Sequence, residues 1–199
     1  MKLNIIEVLD SLNKAQSVIS PKIGMHQQQV ACLAYRMAEK LGYSAEEKHR
    51  VFVAALLHDI GALSMKEKLD AFEGDGDDIH LHGYRGAFLV SAFYPQPDIA
   101  PILYFHHYQW QNGKVLEANP DMPMDSQLVY VADRVCTLIA NSNEFVLSLI
   151  PKIKQIVTAN AGKHFYPEYT EVIRELTSVD SVWLDLTYLA YRLLIPCIR

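Results

Sequence analysis

Residues 44–61 read SAEEKHRVFVAALLHDIG, and the order of residue types in that stretch sets the architecture. Ser44 with Glu47 three positions later is the capping-box pattern that opens a helix. The helix then runs through Val51, Ala54, Ala55 and Leu57 to His58, within a segment, VFVAALL, apolar enough to be buried. Ile60-Gly61 follows, so His58 and Asp59 stand where a buried helix ends. Imidazole nitrogens and carboxylate oxygens together suit borderline divalent metals such as iron, manganese, zinc or nickel.

Outward from this stretch nearly every periodic segment is helical. Residues 26–41 place Val30, Leu33, Ala34, Met37 and Leu41 on one stripe, and Gly42 supplies the stop. Helices are predicted around 83–93, 98–108, 125–141, 143–150, 151–159, 167–177 and 180–195. Pro97, Pro151 and Pro167 are placed near helix starts, where a missing N–H is tolerated. No segment alternates with period two over a useful length. The expected architecture is one all-α, multi-helix domain over residues 1–199. Two stretches interrupt it. Residues 73–78, EGDGDD, lack the ligand order and distal glutamate of a calcium loop and read as a solvated acidic loop. Residues 109–124 are rich in turn formers and form the longest structureless connection; with the loop over 62–80, which also lacks periodicity, they would set the shape of the pocket.

Composition narrows the function classes. The 199 residues are 50% hydrophobic and 21% charged, with 18 basic and 23 acidic side chains and a net charge of −5. Such a chain folds, and it has no global attraction for a nucleic acid polymer or an anionic membrane. Cys32, Cys136 and Cys197 are widely spaced within apolar patterns, which fits reduced, buried thiols. The N-terminal MKLNIIEVLD carries Glu7 and Asp10 where a secretory signal needs an unbroken apolar run. Leu184–Ile198 is interrupted by Asp185 and Arg192 and is too short to span a bilayer. A cytoplasmic protein is expected.

Of the eight histidines, five fall at or near helix ends together with two aspartates: His26, His58-Asp59, His82, His106-His107 and Asp133. Each alone has an ordinary reading as a surface or core residue; their coincidence does not. Asp133, set among Val131, Ala132 and Val135, needs a partner once buried, and a metal supplies one. This order resembles the H…HD…D pattern of the HD superfamily of metal-dependent phosphohydrolases. It is most similar to the HD-GYP branch, known for cyclic di-GMP phosphodiesterases. His82-Gly83-Tyr84-Arg85-Gly86-Ala87 resembles that branch's H-x-x-x-G-A helix start, and residues 106–113, HHYQWQNG, its HH-x-x-W-x-G segment with one extra residue. Val131-Ala132-Asp133 matches the helix of the last ligand, and residues 162–168, GKHFYPE, resemble G-x-x-F-D-P-E. The resemblance covers about residues 24–177, with helices over 1–20 and 180–195 packed on that core.

The resemblance implies two divalent ions per chain, iron or manganese first, with zinc, nickel or magnesium as alternatives. His26, His58, Asp59 and Asp133 would hold one, and His82, His106 and His107 the second, with Asp59 bridging. His58 and Asp59 are the catalytic pair it implies, for phosphodiester hydrolysis by a metal-bridging hydroxide. The departures are equally specific. In HD-x-G-K the lysine is here Ala62, leaving Lys66, Lys68 or Arg85 as substitutes; the GYP tripeptide is replaced by Lys114-Val115-Leu116; and Lys22 stands where a third-metal glutamate would be. Trp110 is a candidate substrate contact that could stack on a base, with packing against its loop the preferred reading. His49 and His80 read as surface residues. The leading expectation is hydrolysis of a phosphoester or nucleotide small molecule such as cyclic di-GMP. The alternatives are a weakly active or inactive sensory module that binds metal, ligand or a partner protein, and a mononuclear nucleotide phosphohydrolase. The apolar face of the last helix offers a surface for a homodimer or a signalling partner.

Overall fold

The computed structural model describes residues 21–73, 79–93 and 96–187. The helix expected over 1–20, the end of the last helix, Cys197 and residues 74–78 lie outside the described residues. Described are α1 (Pro21–Lys40), α2 (Ala45–Leu57), α3 (Met65–Glu73), α4 (Ile79–Phe93), α5 (Ile99–Phe105), α6 (Lys114–Ala118), α7 (Met124–Ala140), α8 (Val146–Asn160), α9 (Pro167–Leu176) and α10 (Asp180–Thr187). A 3₁₀ turn, Gln111–Gly113, precedes α6, and no β-strand occurs among the described residues.

The hinge between α1 and α2 follows its sequence closely. Gly42 takes φ +75°, its N–H bonds the Glu39 carbonyl at 3.1 Å, and the Tyr43 N–H bonds Ala38 at 3.0 Å. This is the Schellman closure, which leaves the next residue free to start a new helix. Ser44 Oγ then accepts the Glu47 N–H at 3.3 Å, while the Glu47 carboxylate accepts the Ser44 N–H at 2.8 Å. Ser44→Ala is expected to lower stability by about 1 kcal/mol, seen as a melting temperature about 2–4 °C lower.

From that hinge, α2 runs through the centre of the molecule, and every residue from Val51 to Leu57 is buried. Helix α1 packs along α2 and α7, α5 wedges between α4, α2 and α7, and α8, α9 and α10 close the remaining side. The core joins Leu33 and Met37 of α1, Phe52 of α2, Leu103 of α5, Leu128 of α7 and Ile153 of α8. A side chain such as Phe52 gains roughly 1.5–3 kcal/mol from full burial. Arg50 ties α2 to the first turn of α7 through Asp125 at 2.8 Å, and the Tyr43 hydroxyl donates to the other oxygen of Asp125 at 3.2 Å. Cys32 and Cys136 are buried and free, as expected; burial pushes the Cys32 thiol up to about 12.

Three expectations are corrected. The two helices predicted over 143–150 and 151–159 are one, α8, with Pro151 inside it. Proline removes one helical N–H bond, but Pro151 is solvent-exposed, so the freed carbonyl can be hydrated. Meanwhile Leu149, Ile153 and Val157 keep one buried stripe across the site. The connection 109–124 is not structureless, since it holds the 3₁₀ turn and α6. Residues 62–80 likewise hold α3, opened by a second capping box between Ser64 and Glu67.

Candidate metal centre

The seven histidines and aspartates predicted as ligands come from five elements and are all buried. His26 projects from the second turn of α1 and Asp133 from the middle of α7, and they meet with Nε2 2.9 Å from Oδ1. His58 caps the end of α2 and Asp59 follows it in the turn. His82 lies in the first turns of α4, and His106 and His107 follow the end of α5.

Backbone carbonyls aim two of the rings. Nδ1 of His58 lies 2.7 Å from the Ala55 carbonyl, and Nδ1 of His106 lies 2.6 Å from that of Leu103. A carbonyl can only accept, so each Nδ1 carries the proton and Nε2 is turned to the cluster interior, the arrangement that metal-ligating histidines use. The two oxygens of Asp59 face different neighbours. Oδ2 is 3.2 Å from His58 Nε2, whereas Oδ1 is 3.4 Å from His82 Nε2 and 3.9 Å from His106 Nε2. His82 Nε2 in turn lies 3.3 Å from His106 Nε2 and 2.8 Å from His107 Nε2.

Two groups of donor atoms result, each with all members within 4.8 Å of one another: His26, His58 and Asp59, and Asp59, His82, His106 and His107. Asp133 stands beside the first, its Oδ1 3.9 Å from His58 Nε2. Asp59 belongs to both. Buried atoms within the cluster, among them His58 Nε2 and Asp59 Oδ1, make no hydrogen bond. Buried polar atoms are rarely left so, and a nitrogen and oxygen donor set of this kind fits divalent metal.

The electrostatics agree. Burial penalises a charged ring at His58, but the carboxylates of Asp59 and Asp133 outweigh it and lift His58 to about 9. Burial also opposes ionisation of Asp59, and the charge of His58 together with the close approach of the His106 and His82 rings overrules it, holding the carboxyl well below its usual range. Asp133 is held low against burial by Arg134 first and then by His26. Burial dominates at His107, whose ring is pushed well below the ordinary imidazole value. The cluster therefore has ionised carboxylates and a position where positive charge is stabilised.

The three side chains proposed from the sequence as substrate contacts each have a defined setting. Arg85 pairs with Glu67 at 2.8 Å, Lys66 is exposed on α3, and Trp110 packs on Tyr166 with ring centroids 4.7 Å apart. Lys68 is the α3 lysine that feels Asp59, whose charge works against the burial that lowers the lysine. The segment carrying Trp110 is fixed by the 162–166 turn. The N–H groups of Trp110, Gln111 and Asn112 donate to the carbonyls of His164, Lys163 and Gly162 at 2.9, 2.6 and 2.7 Å. Two motifs fifty residues apart in sequence thus form one corner of the site.

Next to the cluster lies a cavity of about 480 Å³, walled by His80, His107, Tyr108, Lys114, Tyr130 and Arg134 among others. Sequence reasoning missed Arg134, although its position inside the apolar stretch Leu128–Leu138 signalled a buried cation in need of a counter-ion. Its guanidinium grips Asp133 Oδ2 through Nε at 3.0 Å and Nη2 at 2.6 Å.

The sequence model of the HD domain family matches residues 23–138. The chain belongs to the HD domain family. Two curated Vibrio cholerae proteins resemble this HD domain. The 3′3′-cGAMP-specific phosphodiesterase 1 is 29% identical over 111 residues, which cover 55% of this chain and 26% of the relative. The 3′3′-cGAMP-specific phosphodiesterase 2 is 25% identical over 179 residues, covering 85% and 34%. The HD chain therefore spans about a quarter to a third of the length of these relatives. Among solved structures, a cyclic GMP-AMP specific phosphodiesterase of V. cholerae aligns with a TM-score of 0.66 at 16% identity, over 85% of this chain and 48% of that one. The HD domain of the L. monocytogenes phosphodiesterase PgpH, in complex with cyclic-di-AMP, aligns with a TM-score of 0.59 at 21% identity, over 89% and 97%. These structural likenesses establish the HD fold. No helix among the described residues is long and apolar enough to cross a membrane.

Proposed function

We propose that this HD domain is a metal-dependent phosphodiesterase acting on a cyclic dinucleotide, with two divalent ions per chain. The observation that carries the reading is Asp59, whose two oxygens face two separate groups of buried histidines. The relatives named as cyclic dinucleotide phosphodiesterases support the substrate class; cyclic di-GMP, 3′3′-cGAMP and cyclic di-AMP are the members to compare. His26, His58, Asp59 and Asp133 would hold one ion and His82, His106 and His107 the other, with Asp59 shared; iron or manganese fits this mixed set. Bound metal supplies an acidified water and neutralises charge on the phosphoryl oxygens. The chain's own part is to hold the donors in place. The Ala55 and Leu103 carbonyls fix two ring orientations, and Arg134 and His26 keep Asp133 ionised.

The test is metal analysis of anaerobically purified protein, then turnover assays with the three cyclic dinucleotides, a linear dinucleotide and a generic phosphodiester, using His58→Ala as the blank. Two ions per chain and hydrolysis of at least one cyclic dinucleotide are expected. Chelation should abolish turnover, and added metal should restore it. One ion per chain would defeat the binuclear reading. A metal-replete protein that binds a cyclic dinucleotide without hydrolysing any ester would instead be a sensory module.

A further inference from the structure

We infer that the cavity beside His107 binds the phosphate and base of one nucleotide unit, with Arg134 and Lys114 as its phosphate-binding cations. The inference rests on the proposed phosphodiesterase reading and assigns side chains that reading leaves open. Ala62, where the family pattern has a lysine, is buried and offers no charge, and Arg85 is committed to Glu67. Neither Arg85 nor Lys68 lines the cavity beside His107, whereas Arg134 and Lys114 do.

Three observations place the nucleotide unit on the α6–α7 side. First, the lining of the 480 Å³ cavity contains the two cations and, among the described residues, no carboxylate, in a chain of net charge −5. That is the local sign inversion an anionic ligand requires, since clefts focus the charge of their own walls. Second, Arg134 is held by Asp133 through two hydrogen bonds, yet its side chain keeps 19% exposure. A guanidinium fixed in this way is preorganised for phosphate oxygens, and little freedom remains to be lost on binding. Through Asp133 it is also tied to His26 of the metal centre, so a phosphate on Arg134 would lie at the edge of the cluster. Lys114, first residue of α6, is exposed and lines the same cavity.

Third, the cavity offers aromatic faces, set at a tilt of 56° to one another. Tyr108 and His80 both line it, with ring centroids 4.6 Å apart, and Tyr108 is backed by Tyr104 in a stacked pair at 6.2 Å. Aromatic faces accept any nucleobase by stacking. Gln109 and Asn119 add amide donors and acceptors at the same wall. The volume lies within the roughly 300–1,000 Å³ of small-molecule sites.

The test uses calorimetry on the protein as purified, with adenosine and guanosine 5′-monophosphates and the parent nucleosides as probes. Lys114→Glu is expected to weaken both monophosphates at least tenfold and leave the nucleosides within twofold. Lys152→Glu on α8, with the same change in charge away from the cavity, should leave all four probes within twofold. Arg134→Lys, which keeps the charge and removes the fork, should weaken the monophosphates several-fold. Tyr108→Ala should weaken nucleosides and monophosphates alike. Circular dichroism and metal content of Lys114→Glu should match the parent. Equal effects of Lys114→Glu and Lys152→Glu, or no monophosphate binding at all, would overturn the inference. Turnover of a cyclic dinucleotide with unchanged KM in Lys114→Glu would overturn it and leave the phosphodiesterase reading standing. Intact, Lys114-dependent binding without turnover of any ester would do the reverse.

Discussion

Asp59→Asn is expected to leave a folded protein that retains neither ion stoichiometrically and hydrolyses no phosphodiester at a measurable rate. The substitution conserves size and removes the one charged group common to both donor sets. Oδ2 answers His58 at 3.2 Å and Oδ1 answers His82 at 3.4 Å, so no neighbouring carboxylate can take over both roles; Asp133 is engaged by His26 and Arg134. Several kcal/mol of transition-state stabilisation from the metals converts to about three orders of magnitude in rate or more. His107→Ala provides the contrast. It touches only the group of Asp59, His82 and His106, so one ion per chain should remain while turnover falls. Elemental analysis of the two variants beside kcat separates the cases. Equal metal loss in both, or full metal retention in Asp59→Asn, would remove Asp59 from the bridging position.

This centre was legible in the sequence because its members are tied to helix boundaries, and helix boundaries are local. Ser44 with Glu47 and the glycine at 42 are readable within a few residues, and they fix where α2 begins and hence where His58 emerges. The same logic applied to Ser64 and Glu67 would have revealed α3; the pattern was present, but no strong apolar stripe followed it. Pro151 misled because a local rule about backbone N–H groups was outweighed by the buried stripe of α8, a tertiary effect. The cavity was not legible at all. Its walls come from residue 80, residues 107–119 and residues 130–134, and nothing within any one of those segments announces the others. For the same reason the Arg85–Glu67 pair was not legible: Glu67 lies eighteen residues earlier, on a different helix. Charge on a single helix can be read from its sequence, whereas neutralisation by a distant element requires the fold.

Gly61→Ala is expected to destabilise the protein by about 3 kcal/mol or more, at the upper end of overpacking penalties. For a chain of this size that lowers the melting temperature by roughly 6–12 °C. No unusual φ is involved; the constraint is close approach. A β-carbon at Gly61 would lie 2.0 Å from the His82 carbonyl oxygen, 2.4 Å from the Gly86 nitrogen and 3.0 Å from the Arg85 β-carbon. The two nearest are backbone atoms of α4, so no rotamer change can relieve the contact and the helix itself must move. Helix α4 carries His82, which faces Asp59 at 3.4 Å, so displacing it opens the second donor group as well as loosening the fold. Gly86→Ala is the matched control, because a β-carbon there meets nothing nearer than 3.5 Å, an ordinary van der Waals distance. Inside a helix that change should be neutral or stabilise by up to about 1 kcal/mol. Thermal melts of the two variants, each with its metal content, discriminate the explanations. If Gly61→Ala melted with the parent and held the same metal, the turn after His58-Asp59 would not be what sets the spacing between α2 and α4.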